Sequence, residues 1–481
     1  MPFVELKSYV GFFSLLWFTW FQVALYDVRF GHDSVFERVC KAIQFGVMVG
    51  LAVEGPNYDL ENFSYHPFRS LSLVLMVSRL VLAIQYAVAW WLLWDYKKAR
   101  LPLLTHIVTM FVSAMAFLGM AFAFAAPHGV HVIDGWYALI GVEAVTILFV
   151  SGKTPFLNFR KTNIIERLGL LTLIILGEGV MGLGEAVSKI HDADGIFSAD
   201  VVGLITCGVL IVYFLYMLYF DQTEEKGEKV GSLRQQLWSL GHFPFHVCIL
   251  LVVAGFSQFI IWRRIIDYLN LTSNEINNVP QPTSSATAAW RDYASAVNAT
   301  LMIWWPGLDF TDPLTDIANS DGNMDYIVDG YYAIWGIVAQ FVAEDYFEVE
   351  VPSGFNNTQS EGFNDLVNIL SLYSTAYLYF FISAGFALVI LACLFMLGQK
   401  AKTRVEYLSI GVRLFVGTGI ILLATIYAPV ADNANDNAFI NYFLSPWLTP
   451  TVVLAYALGK SKSCLNWFGT NRIMQWSRLI S

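Results

Sequence analysis

Uninterrupted apolar segments about as long as a bilayer is thick recur along this chain, and no other feature restricts its fold as much. They fall at 9–27, 39–54, 70–94, 103–126, 132–150, 166–188, 200–220, 242–262, 366–398, 407–429 and 441–459. A helix rises 1.5 Å per residue, so ~20 residues cross a ~30 Å hydrocarbon core. Backbone polar groups in lipid are satisfied only within helices or closed barrels. The segments are continuous rather than alternating, which selects helices. The expected fold class is all-α: a polytopic transmembrane helical bundle of about eleven spans. The second run is short, so a tilted or incomplete crossing is expected there. Only 14% of the residues are charged and 56% are hydrophobic, whereas a soluble domain is about a quarter charged. The first run is too long for a signal-peptide h-region and lacks a small-residue cleavage site, so no cleavable leader is expected.

Basic residues sort the connections into two faces. Alternate connections hold groups such as Arg29, Arg38 and Lys41, or Lys97, Lys98 and Arg100, and together carry 20 of the 28 basic residues. Positive charge marks the cytoplasmic side, which places the N-terminus outside or in a lumen and the C-terminus in the cytoplasm. The glycosylation sequons that begin at Asn62, Asn270, Asn298 and Asn356 all fall on the opposite face. That face has no cysteine, so no disulfide framework is expected there. The implied location is the plasma membrane or the endomembrane system.

Four regions follow. Residues 1–262 form an N-terminal membrane bundle of about eight spans, and 263–365 form one large external acidic insertion. Residues 366–460 add about three more spans, and 461–481 are a cytoplasmic tail. From Ile265 to Asp365 there are 15 acidic residues against the single basic Arg291. This segment opens with a polar stretch, SNEINNVPQPTSSATAA. Two more structured pieces follow, WRDYASAVNATLMIWW and DYIVDGYYAIWGIVAQFVAEDYF. Asp329 interrupts the second, which is read as an interface-lying helix rather than a further span. A solvated, glycosylated face accounts for the acidic charge; concentration of cations near a pore mouth is the competing reading.

Gly177, Gly179 and Gly182 fit G-x-G-x-x-G, the dinucleotide-binding fingerprint. That motif needs a strand, a tight turn and a soluble helix in sequence. Here an apolar run crosses the glycines without turn residues, so the match is fortuitous. Small residues also let membrane helices approach closely. Gly169, Gly177 and Gly184 would share one face, with Gly179 and Gly182 on others. A locally unwound helix around Glu178 is the alternative.

Ionisable residues at mid-membrane carry a penalty of roughly 2.5–3.5 kcal/mol each and face a partner or water. Four stand out: Arg79, Glu143, Glu178 and Arg413. Counting from the span ends sets Arg79 level with Glu178, and Glu143 level with Arg413. Two readings compete, namely fixed ion pairs that specify helix contacts and a proton or cation site tuned by an arginine. His242 and His246 stand four apart in GHFPFH. That spacing can serve a metal, but Pro244 intervenes and no third ligand is near, so interfacial histidines at a helix start are expected, with a proton relay as the alternative. Neither a cofactor nor a metal is expected.

The segment NIIERLGLLTLIILGEGVMGLG resembles the low-temperature-requirement A (LtrA) family of membrane proteins, on its fungal-type branch. Glu166, Arg167, Gly169, Leu176, Gly177, Glu178 and Gly184 match the family's core motif. Arg79, and Trp238, His242 and Pro244, match weaker ones. Relatives often carry His where Asn163 stands. They also begin with an additional helix bearing an E-L-F-x-D-L-like motif, which is missing before MPFVELKSYVG. The resemblance thus implies either a shortened gene model or a departure from the family pattern. It implies a requirement during growth in the cold, and no established substrate.

The leading expectation is a secondary transporter or channel-like permease that uses buried Arg/Glu pairs. A non-catalytic membrane scaffold that supports growth at low temperature is the alternative. No nucleophile–base or metal constellation suggests an enzyme. The expected partners are the lipid bilayer and a small solute or ion, with no nucleic acid.

Overall fold

The structure, a computed structural model, describes residues 2–60, 63–124, 131–153, 163–193, 195, 197–223, 232–284, 286–349, 361–398, 404–427 and 445–460. The helices run α1 (Pro2–Phe30), α2 (Val35–Glu54), α3 (Tyr65–Leu92), α4 (Lys97–Ala123), α5 (Val132–Lys153), α6 (Ile164–Ala193), α7 (Ala199–Thr223), α8 (Ser232–Leu240), α9 (His242–Asn278), α10 (Thr287–Trp304), α11 (Thr311–Ala318), α12 (Met324–Phe341), α13 (Glu361–Gly398), α14 (Arg404–Tyr427) and α15 (Leu448–Gly459). No strand occurs among the described residues. The chain is a multi-pass membrane protein of all-helical class.

Nine helices among the described residues are long and apolar enough to cross a membrane, and they include α12. The expected runs 132–150, which folds as α5, and 39–54 are not among them. The latter folds as α2, whose first two turns carry Glu37, Arg38 and Lys41. Of the run 441–459, the structure describes residues 445–459, which end in the short helix α15. The sequons at Asn62 and Asn356, and the tail 461–481, lie outside the described residues. Asn270 lies exposed on α9 and Asn298 half-buried on α10.

Two sets of buried side chains meet along α1. Leu15 and Tyr26 pack with α2–α5, around Phe68, Leu75, Phe117 and Trp136 and around Leu82, Tyr86 and Met110. Trp17, Phe21 and Leu25 belong instead to the larger core formed by α6–α15, which Ile147 of α5 also joins. One helix therefore presents apolar faces to both halves of the bundle.

Helices α9 and α13 contain 37 and 38 residues. At 1.5 Å per residue each is about 55 Å long, well beyond a ~30 Å core. They touch at Phe259 and Phe380, with ring centroids 5.0 Å apart, and at Trp262 and Tyr373, 5.4 Å apart. Beyond Trp262, α9 continues through the stretch expected as a polar linker, so SNEINN is helical. Tyr268 contacts both Trp305 and Tyr346. The indole of Trp305 donates to Thr272 at 3.1 Å, and Tyr293 bonds Tyr331 at 2.6 Å. Among the described residues, α10–α12 thus form a packed layer against the part of α9 beyond Trp262. Helix α12 ends in one π turn, Val342–Tyr346.

Helix α6 runs unbroken across the glycine motif, so neither a strand–turn–helix nor an unwound site forms there. The glycines that matter for close approach differ from those expected. A Cβ on Gly179 would lie 2.8 Å from Val253 Cγ2, and one on Gly182 3.3 Å from Ser257 Oγ. Gly177 and Gly184 have nothing within 4 Å of that position, and Gly169 meets only Phe220 at 3.7 Å. The α6–α9 contact therefore rests on Gly179. Gly179→Val should lower stability by about 1–3 kcal/mol through overpacking, whereas Gly184→Ala should be neutral or stabilising by up to ~1 kcal/mol through helix propensity. Thermal unfolding in detergent reads both.

Candidate functional site

Arg79 and Glu143 lie near the middle of α3 and α5, are almost fully buried, and bond each other. Arg79 Nε donates to Glu143 Oε1 at 3.0 Å and to Oε2 at 3.2 Å. Two residues of α1 complete the group. Thr19 Oγ1 accepts from Arg79 Nη1 at 3.2 Å, and Gln22 Nε2 donates to Glu143 Oε2 at 3.3 Å. The guanidinium lies 5.7 Å from the centre of the Phe117 ring on α4. The pairing of Arg79 with Glu178 and of Glu143 with Arg413, expected from depth, does not form. The expected levels count Arg79 from Arg69, Glu178 from Glu166, and Glu143 and Arg413 from the cytoplasmic ends of their apolar runs. Helix α5 continues to Lys153 and α3 begins at Tyr65, which brings Arg79 and Glu143 to one level.

Arg413 has a different task. Its Nε donates to the carbonyl of Gly459 at 3.0 Å, at the last residue of α15, where carbonyls lack helical partners and a cation opposes the helix dipole. It joins α14 to α15.

His242 and His246 are both completely buried within the protein. Trp17 Nε1, which can only donate, lies 3.0 Å from His246 Nδ1. That nitrogen therefore accepts, and the neutral ring carries its proton on Nε2, 2.8 Å from Thr172 Oγ1. Thr172 in turn donates to the Leu168 carbonyl at 2.9 Å. His242 holds the opposite tautomer. Its Nδ1 faces the Trp238 carbonyl at 2.9 Å and its Nε2 accepts from Tyr219 at 3.0 Å. Every ring nitrogen is occupied, so the pair ties α1, α6, α7, α8 and α9 together. No group of three metal-ligating side chains occurs among the described residues.

Glu178 stands apart. It is the fifteenth residue of the 30-residue α6, it is exposed, and no ion pair or hydrogen bond links it to another described residue. It lines a cavity of about 190 Å³ with Tyr9, Gly182, Glu185, Lys189, Ser257 and Gln258. Through Tyr9, Lys189 and Gln258 this continues into a second space of about 530 Å³, reaching Trp262, Glu348, Thr375 and Tyr379. At its end Lys189 lies 3.5 Å from Glu185 and 3.9 Å from Glu348. Glu348 holds a left-handed backbone, φ 52°, following the π turn. The remaining motif residues act elsewhere. Arg167 bonds Asp27 at 3.2 Å, and Lys41 approaches the same carboxylate at 3.6 Å, while Glu166 is exposed.

Away from the long apolar helices, burial and then neighbouring Asp312 and Asp329 raise the Asp316 carboxyl above its usual range. Hydrogen bonds from Thr311 hold Asp309 below it.

Sequence reasoning missed Glu37. This buried carboxylate in the first turn of α2 accepts from Tyr26 and from Gln85, each at 2.7 Å. Ser34 caps α2 by accepting from the Glu37 N–H, but nothing local shows that the acid turns into the core.

Breaking a buried pair leaves an uncompensated charge and destabilises by about 3–5 kcal/mol, whereas replacing both partners by apolar residues is often neutral. Arg79→Met alone should therefore unfold at markedly lower temperature than the parent, and Arg79→Met with Glu143→Met should recover most of the loss. A double-mutant cycle of thermal stability in detergent checks this.

The family model of bacterial low temperature requirement A protein (LtrA) matches residues 3–305. No curated protein and no solved structure matches the chain. The matched stretch exceeds half of the 481 residues and contains the buried Arg79–Glu143 pair, the histidine pair and the α6 motif: the chain belongs to the LtrA family.

Proposed function

We propose that this protein is a secondary transporter or channel-like permease, with the acid-lined cleft at Glu178 as its solute or ion site. The observation that carries the reading is a single unpaired carboxylate at the midpoint of an apolar helix, facing a cavity. An acid at that depth is penalised by ~2.5–3.5 kcal/mol on insertion scales. The other intramembrane charges offset such a penalty by bonding within the bundle; Glu178 does not. The groove between α6 and α9 follows Glu178, Gly182, Glu185 and Lys189 along one helix face. Eleven residues separate Glu178 from Lys189, so the polar path is about 16 Å long.

In this proposal the N-terminus and the α10–α12 layer lie outside the cell or in a lumen, and α12 lies in that layer rather than crossing. The alternative of a membrane scaffold supporting growth in the cold draws on the mutually bonded Arg79–Glu143 pair and the histidine pair, which stabilise structure and need no solute.

Proteoliposome flux with a panel of ions and small solutes tests the reading. Glu178→Gln should reduce flux of the transported species by tenfold or more, about 1.4 kcal/mol or more in barrier height, while leaving thermal stability near that of the parent. Equal flux at equal reconstitution would remove Glu178 from any transport role.

A further inference from the structure

A second ionisable site lies in the other half of the bundle. Glu37 is 5% exposed and its carboxylate meets two neutral donors. Tyr26 Oη lies 2.7 Å from Oε1, and Gln85 Nε2 lies 2.7 Å from Oε2. No cation pairs with it among the described residues. Glu37 stands in the first turn of α2, after the Ser34 cap.

The surroundings also satisfy both forms. Tyr26 Oη is 3.4 Å from the Gln85 carbonyl, an acceptor already in reach. With Glu37 ionised, Tyr26 donates to Oε1. When a proton adds to Oε1, the phenol O–H turns to the Gln85 carbonyl and its oxygen accepts from the new carboxylic O–H. Gln85 Nε2 donates to Oε2 throughout. No buried group loses its last partner in either form, which a purely structural carboxylate would not require.

We propose that Glu37, held by Tyr26 and Gln85, is a proton-binding site distinct from the Glu178 cleft, at a point where α2 is fastened to the bundle. Helix α2 buries only Glu37, Cys40, Gln44, Val47 and Leu51. Two of these five are polar anchors, Gln44 being bonded to Ser78 through both its amide and its carbonyl. Ionisable groups near Glu37 and its phenol partner include Tyr26 on α1, Cys40 on α2 and Tyr86 on α3, with Arg29 of α1 beside Tyr86; Arg38 and Lys41 follow on α2, and Lys41 approaches Asp27. Tyr86 lies against Tyr26 and stacks on His106 of α4.

Infrared difference spectra of the full chain in bilayers, recorded across a pH titration, test the site. Acidification should produce a carboxylic-acid carbonyl band that is absent in Glu37→Gln. Tyr26→Phe removes a donor to the anion and should move that band's midpoint up by about half a pH unit or more. A spectrum in which Glu37→Gln loses no titrating band overturns the proposal. So does an unchanged midpoint in Tyr26→Phe, which stands as the test if Glu37→Gln does not fold.

Discussion

A charge placed in the middle of a bilayer has to find its counterpart within the chain, and the bond between Arg79 and Glu143 is where this protein meets that demand. The fork of Arg79 reaches α5 through Glu143 and α1 through Thr19, and Gln22 closes the group from the other side. Three helices are held in one register by groups that have no acceptable alternative in lipid. The same logic recurs at the histidines. Trp17 comes from α1, so α1 is bonded to both halves of the bundle, once through Thr19 and Gln22 and once through its indole. The buried faces of α1 repeat that division, with Leu15 in one core and Phe21 in the other.

Against this background Glu178 is exceptional. The apolar helix that carries it is continuous, and Gly179 seats it against Val253. Its backbone is therefore fixed while its side chain stays in an open groove. A rigid support beneath an unsatisfied acid is the arrangement that a binding site needs. The polar groups along the groove come from both α6 and α9, and Glu348 reaches it from the acidic segment. The family match ends at residue 305, so Glu348 is supplied by sequence beyond the matched region. The groove thus joins family-wide helices to a part of the chain that the family model does not describe.

Much of the architecture was legible because lipid restricts what a sequence can do. Apolar runs such as 70–94 and 200–220 appear as α3 and α7 with ends shifted by a few residues. Depth was less legible. Glu143 was counted from Val150, yet α5 continues to Lys153, and a shift of one turn exchanged its partner. The glycines were misassigned for a related reason. Helical spacing says which residues share a face, but only the neighbour decides which face is pressed, and Val253 lies opposite Gly179. Pro244 suggested a helix start near the surface for GHFPFH, whereas Tyr219, Thr172 and Trp17 from distant positions enclose both rings. Glu37 could not be read at all, since its donors come from residues 26 and 85.

The central claim is that the bundle's polar groups divide into a closed interior around Arg79 and Glu143 and a water-accessible groove at Glu178. Reaction of single cysteines with a membrane-impermeant, water-soluble thiol reagent tests it most directly, in a background where the native cysteines are replaced. Gly182→Cys and Ser257→Cys, which border the groove, should react readily in the folded protein, and Thr19→Cys and Gln22→Cys should not. Unreactive cysteines at 182 and 257, or equal labelling at all four positions, would contradict the account.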